Sequence, residues 1–365
     1  MSMDITQLEQ QHGNFYAPTY RVKVNGQDLL ADLFLQVPTA QVDTTLEGMH
    51  RFSFTVNSTF DIQNREFAHL DDVFTFGNAV EVYLGYVDGG SLPLLHQGII
   101  TSVQTSFPAS GLPQINVSGY DLSYPMTKGK RSRNWDNKKD SEVVALVAKD
   151  YGLNTGSTVA DTQVVQPKIE QSQESDFELI KKLAQRNGFE FYTFKQDLHF
   201  HAPTNDESQT VTLEWGKGLL SFTPEINISE QISKVEVRGW DVNSKKELIG
   251  VAQAGDEPGR DPGRRSGAEF VKKICKDSGE LKVRMPAFTQ QEVDRRAKGL
   301  LTRRAEMFVK GSGESIGLPE ILPDTNVNLL GMGKLFSKVY YVEQATHTVS
   351  TSGYRTTFKV KDTTI

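Results

Sequence analysis

Asn78-Ala79-Val80-Glu81-Val82-Tyr83-Leu84-Gly85 alternates side-chain character and stops at a glycine. Gln97-Gly98-Ile99-Ile100-Thr101-Ser102-Val103-Gln104 follows. After a Pro/Gly turn at 108–113 comes Gln114-Ile115-Asn116-Val117-Ser118-Gly119-Tyr120-Asp121. Successive side chains on a strand point to opposite faces, so this alternation reads as a three-strand meander. The same order returns near the end of the chain. Asp324-Thr325-Asn326-Val327-Asn328-Leu329-Leu330-Gly331 leads to Ser337-Lys338-Val339-Tyr340-Tyr341-Val342-Glu343-Gln344. A Ser352-Gly353 turn then precedes Thr356-Thr357-Phe358-Lys359-Val360-Lys361-Asp362. Two such units predict two similar antiparallel β-barrels per chain.

Working outward, Tyr20-Arg21-Val22-Lys23-Val24 ends at the turn Asn25-Gly26, and Arg51-Phe52-Ser53-Phe54-Thr55-Val56 puts three apolar residues on one face. Residues 1–125 therefore form the expected first barrel. The pattern changes over 126–209, an expected α+β module. A basic loop, Lys128-Gly129-Lys130-Arg131-Ser132-Arg133, precedes a helix with Asp140 or Ser141 as N-cap and Gly152 past its end. A second helix opens on the capping box Ser175-Asp176-Phe177-Glu178 and stops at Asn187-Gly188. Phe189-Glu190-Phe191-Tyr192-Thr193-Phe194 and Leu198-His199-Phe200-His201 then read as a hairpin. Residues 210–240 and 310–365 are assigned to the second barrel. Residues 241–309 form an insertion, with an exposed mobile loop at 253–267 and helices at 268–276 and 290–308. The fold class is mainly β with α+β insertions.

Composition excludes several functions. The chain has 365 residues, 37% hydrophobic and 24% charged, which is ample for more than one core. A net charge of −6 and a pI near 5.7 argue against a dedicated nucleic-acid binder. The single cysteine, Cys275, rules out an internal disulfide and a multi-thiolate metal site. The first eleven residues lack the basic and apolar regions of a secretory signal, and no window suggests a membrane span. The expected location is the bacterial cytoplasm, followed by assembly into a virion tail or tail-like particle.

At this point the sequence resembles the baseplate hub proteins of contractile phage tails, including the late control protein D family. It is also similar to the hub portion of VgrG spike proteins. The resemblance rests on residues 173–192, where Glu-Ser-Asp, an aromatic and a helix ending in Leu-Ala-x-Arg-x-Gly precede an aromatic strand. It also rests on Val117-Ser118-Gly119-Tyr120-Asp121-Leu122, Arg131-Ser132-Arg133-Asn134-Trp135 and Gly353-Tyr354-Arg355-Thr356-Thr357-Phe358. The resemblance implies a homotrimer around a channel. Two barrels from each of three chains would give a pseudo-sixfold ring, matching a hexameric tube above and a trimeric spike below. Implied partners are the tail tube or its initiator, a separate spike protein and other baseplate proteins. Nucleic acid enters only as channel cargo. The chain ends at Ile365, soon after the second barrel, which is why the spike is expected on another polypeptide.

His199 and His201 share a strand face, as a two-histidine metal site would require, but no third ligand lies nearby in sequence. Asp256, Glu257 and Asp261 do not follow calcium-loop spacing. Lys128, Lys130, Arg131 and Arg133 could meet phosphate, yet only Trp135 interleaves an aromatic, so a solvated loop or salt-bridge patch is expected. Gly331-Met332-Gly333-Lys334 lacks phosphate-loop spacing and reads as a hairpin turn. No catalytic, cofactor or metal residue is assigned. The expectation is a structural protein rather than an enzyme; the alternatives are a tail-associated cell-wall hydrolase and a carbohydrate-binding module.

Overall fold

The computed structural model describes residues 2–57, 60–87, 92–203, 210–241, 245–257, 263–285, 287 and 289–365. Both sequence repeats form antiparallel meanders. In the first, Ala79–Tyr86, Leu94–Ser106 and Gln114–Asp121 pair in succession. In the second, Asn326–Leu330, Lys338–Ser350 and Gly353–Asp362 do the same. Each central strand is 13 residues long.

The surroundings of the two meanders differ, and among the described residues one closed barrel is seen. The second meander closes into a ring. Thr210–Trp215 pairs with Gly218–Ile226, then come Val309–Ile316, Gly353–Asp362, Lys338–Ser350 and Asn326–Leu330, which pairs back onto Thr210–Trp215. This six-stranded barrel is not wholly antiparallel, since Thr210–Trp215 runs parallel to both its neighbours. The first meander lies in an open ladder, with Pro18–Val24 at one side and Arg51–Asn57 and Gln36–Thr45 at the other. These strands enclose one core that includes Val22, Val42, Phe52, Phe54, Val80 and Ile115. Among the described residues no strand pairing joins Pro18–Val24 to Gln36–Thr45.

Barrel and open sheet share a strand. The first part of Lys338–Ser350 pairs with Asn326–Leu330, from Lys338 to Tyr341. From Gln344 to Val349 the same strand pairs with Gln36–Thr45. Its register against Gly353–Asp362 shifts between Val342 and Gln344, where the partner changes. An extra residue bends a strand and increases its twist. The bulge at Glu343 therefore turns the strand out of the barrel wall and into the neighbouring sheet. Thr44 Oγ1 donates to Ala345 O (2.9 Å) and Tyr86 OH to Gly317 O (2.8 Å), fixing the two halves together.

The N-terminal residues, assigned to the first barrel, complete the second. Ser2–Met3 runs parallel beside Thr210–Val211, and Ile5 and Leu8 of the helix Ile5–Gln11 lie in the barrel core. Asp4 caps that helix in a reciprocal box with Gln7.

The α+β module has its own core, including Val144, Leu179, Ile180, Leu183, Phe191 and Phe200. Its helices are Asp140–Lys149 and Asp176–Asn187, and its hairpin is Glu190–Phe194 with Asp197–His201. Part of the expected basic loop is instead a strand, Arg131–Lys139, paired with Val165–Glu174. The N-cap of the first helix is Lys139, one position before the expected pair.

A further correction concerns Lys234–Asp241. It alternates like a barrel strand, but it pairs with Lys246–Gln253 and Glu280–Arg284 in a separate three-stranded sheet. The helix Gln290–Ala305 covers that sheet and ends three residues earlier than expected. It fits there because the sheet carries glycine. A Cβ at Gly250 would lie 2.3 Å from the Val293 backbone. The helix Gly267–Cys275 starts on the capping box Ser266/Glu269. Residues 258–262 of the expected mobile loop, Asp261 included, lie outside the described residues.

Candidate functional site: the seam between the β framework and the insertions

The motifs behind the family resemblance have structural work in this fold. Ser175 Oγ accepts from Glu178 N (3.2 Å), and Glu178 Oε2 accepts from Ser175 N (2.8 Å), which closes the capping box. Asp176 is buried at the first helical position. It accepts from Arg133, from Tyr151 OH (2.7 Å) and from Gln171 Nε2 (2.8 Å), and it pairs with Arg131 at 3.2 Å. A buried carboxylate needs this many charged and hydrogen-bonding partners. Two of the basic residues weighed for phosphate are thus consumed inside the module. Of the other two, Lys128 sits 4.5 Å from the centre of the Tyr124 ring and Lys130 is exposed. At the other end of the helix, Arg186 and Asn187 grip buried Asp140, with Arg186 Nε at 2.9 Å and Asn187 Nδ2 at 2.7 Å. Arg295 of the second insertion donates to Asn187 Oδ1 (3.0 Å) and Thr162 O (2.7 Å), locking the insertions to each other.

The remaining candidates have local roles. Glu257 is buried, accepting from Ser266 Oγ (2.8 Å) and Gly255 N (2.6 Å), while Asp256 accepts from Gln253 N (2.8 Å). Gly331-Met332-Gly333-Lys334 runs into a short helix, Gly333–Phe336, between two barrel strands. Cys275 is exposed. His199 and His201 do share a face of the hairpin, and that face meets the β framework. The His199 ring stacks on Tyr192 at 4.5 Å and 7°, and His201 Nε2 lies 3.4 Å from Asp324 Oδ2. Among the described residues no group of three or more His, Cys, Asp or Glu is arranged to hold a metal.

Sequence reading missed His50, whose ring lies 6.0 Å from Tyr192 at 19°, and Asp324, which accepts from Tyr341 OH (2.6 Å) and Tyr192 OH (3.1 Å). No local pattern marks either residue, because their partners are far away in sequence. Beside them, Lys361 from the last barrel strand lies 3.3 Å from Glu190 of the hairpin and 3.1 Å from Glu306 after the second insertion's helix. Burial works against the Lys361 charge, but Glu306, Glu190 and Glu343 together overcome it and hold its pKa above the usual lysine value. Burial raises Glu190, partly opposed by Lys361. One ammonium thus joins three units. It borders a cleft of about 480 Å³, lined by Leu46, Phe177, Lys181, Arg303, Glu306 and Glu343 among others.

Buried histidines make the fold sensitive to acid. Burial lowers His50 to about 4, His96 to about 3 and His347 to about 4. His50 Nε2 and His96 Nε2 lack hydrogen-bond partners. The His347 ring is held as the neutral tautomer, with Nε2–H donating to Ile321 O (3.0 Å) and Nδ1 accepting from Tyr354 OH (2.9 Å). Each group is neutral in the native state, so its contribution is present above the unfolded value near 6.5 and is lost as pH falls toward the native value. Asp121 acts in the opposite sense. Burial raises it to about 6, so the native state takes up its proton first and offsets part of the loss. Unfolding free energy should fall by about 4 kcal/mol from pH 7 to pH 5, from three such histidines less one such aspartate. Urea midpoints at the two pH values check this, and an unchanged or higher midpoint at pH 5 contradicts it.

Large apolar side chains remain exposed on both β units. On the barrel, Trp215 is 63% exposed, and a Cβ at Gly331 would lie 3.5 Å from its Cβ; Leu330 and Leu335 flank that turn. In connections of the open-sheet unit, Phe34 is 84% and Phe76 68% exposed. Exposed apolar groups of this kind mark contact surfaces when they occur together.

A six-stranded barrel joined to a second β unit through one shared strand, with two α/β insertions, places the chain in a known fold, that of phage tail proteins. The prophage MuSo2 43 kDa tail protein from Shewanella oneidensis superimposes with a TM-score of 0.69 at 14% identity, covering 95% of this chain and all of that one. A tail protein from Neisseria meningitidis gives 0.68 at 14% identity, with 95% and 97% covered. The Escherichia coli c3393 protein, a component of the type VI secretion system, gives 0.53 at 12% identity, with 93% and 76% covered. The chain belongs to the Alg8 N-terminal domain family, whose model matches residues 16–351. No curated protein matches it in sequence. No helix among the described residues is long and apolar enough to cross a membrane.

Proposed function

We propose that this chain is the structural hub of a contractile injection machine. Three copies form a ring that joins the hexameric tail tube to a trimeric spike, with other baseplate proteins around it, and the chain acts without catalysis. The observation that carries this reading is the pair of like meanders, each with a 13-residue central strand, in two β units that share the strand Lys338–Ser350. Three chains then present six like meanders while keeping only threefold symmetry, which suits a part placed between sixfold and threefold neighbours. The resemblance to phage tail and type VI fold relatives supports the same reading. The exposed apolar residues on both β units give such a ring material for subunit contact, since permanent interfaces are large and apolar at their centres.

The chain and its spike partner, mixed at micromolar concentration, are expected to sediment as a complex containing three copies of this chain. Recovery of the chain only as a monomer would overturn the proposal. A Trp215→Asp substitution should weaken the trimer while leaving the circular dichroism spectrum unchanged, because Trp215 is largely outside the core of its own barrel.

A further inference from the structure

The hairpin that carries His199 and His201 is two-sided. Phe191, Leu198 and Phe200 point into the module's own core. The opposite face carries Glu190, Tyr192, Phe194, Asp197, His199 and His201, by the alternation of the paired strands. That face lies on the β framework. From the open sheet it meets His50, whose ring lies 6.0 Å from Tyr192 and 6.5 Å from Phe194. From the barrel it meets Asp324, Tyr341 and Lys361. Glu343 and, from the second insertion, Glu306 and Arg303 line the cleft alongside.

We propose that this seam is an acid-released latch, in which protonation of His50, His199 and His201 separates the hairpin face from the β framework while the α+β module stays folded. The rings of His50 and His199 both lie nearly parallel to Tyr192, at 19° and 7°, and those of His199 and His201 are 5.8 Å apart. Three imidazoles thus share one seam. Asp324 is the carboxylate within 3.4 Å of His201, and it already accepts from two tyrosine hydroxyls. It can balance one imidazolium. Glu190 and Glu306 are engaged by Lys361. Behind His50, Asp121 accepts from the His50 backbone N–H and from Ser123, and His96 can only add positive charge. A second and third imidazolium would therefore repel one another in a poorly hydrated space, and opening the seam hydrates all three. Burial holds His50 near 4, and His199 is lowered by burial and then by His201. If His50 regains its ordinary value on opening, that residue alone favours the open seam by up to about thirty-fold at pH 5. The module does not unravel, because Phe191, Leu198 and Phe200 stay in its core.

Spin labels on the intact chain test this. One pair spans the seam, at Glu47→Cys and Gln196→Cys, and a control pair lies within the module, at Lys149→Cys and Lys168→Cys, both with Cys275→Ser. Lowering the pH from 7 to 5 should lengthen or broaden the seam distance by on the order of 5 Å and leave the control distance unchanged. In a His199→Phe, His201→Gln background, which keeps an aromatic ring on Tyr192 but removes two of the cations, the seam should move clearly less than in the parent, since only His50 remains to be protonated. An unmoved seam at pH 5, equal broadening of the control pair, or full movement in the double substitution would each overturn the proposal.

Discussion

Replacing Lys361 with methionine is expected to lower stability by about 3–5 kcal/mol, the usual cost of stranding a buried charge by removing its partner. The Lys361 side chain is 9% exposed and lies between Glu190 and Glu306, which are themselves only 15% and 22% exposed. Methionine matches the length of the stem, so packing changes little. What changes is that the carboxylates lose their ammonium, next to Glu343 in the same cleft. Adding Glu190→Gln and Glu306→Gln to Lys361→Met should recover much of the loss, because hydrogen-bonding groups without net charge are cheaper to bury than unpaired charges. Equilibrium unfolding of the single and triple variants measures both effects. A single variant within about 1 kcal/mol of the parent would mean that the cluster is hydrated and does not bind the three units together.

Gly119→Ala should be as damaging, at about 4 kcal/mol or more, for a steric reason. Gly119 lies at the register shift between Gln114–Asp121 and Leu94–Ser106. A Cβ there would sit 1.9 Å from Ile99 O and 2.7 Å from the Phe52 ring. The first contact is with backbone in a paired strand and the second with a fully buried ring, so neither neighbour can withdraw without breaking the ladder or the core. The expected result is loss of soluble protein, or a urea midpoint well below that of the parent. Gly129→Ala is the control for adding a methyl group, since nothing lies within 4 Å of a Cβ at that position, although its φ of +74° carries a modest backbone cost of its own.

These two residues bear on how far the fold could be read from sequence. Strands with one buried face were legible. In Arg51–Asn57 and Gln114–Asp121 burial alternates along the strand in step with the residue pattern. The capping box at Ser175 was legible because its partners lie three residues apart. Arg131–Lys139 was not, since it has no fully buried position and its residues read as a solvated loop. Lys234–Asp241 shows the opposite difficulty. Its alternation was correct, but a strand's own pattern does not say which sheet it joins; its partners are Lys246–Gln253 and Glu280–Arg284, and the helix covering that sheet is seated on Gly250 of the first of these. Closure of one meander and not the other depends on pairings remote in sequence, such as Thr210 with Asn326 and Gln344 with Thr45. The seam follows the same logic. His199 and His201 could be placed on one face from their spacing, whereas His50, Asp324 and Lys361 reach them only through the tertiary fold.

The hub reading requires a ring, and images of the assembled particle test that most directly. Class averages of the chain bound to its spike, viewed down the axis, should show three copies arranged as six lobes alternating in density around a central channel. A particle with one copy per spike, or three copies without six lobes, would contradict the account.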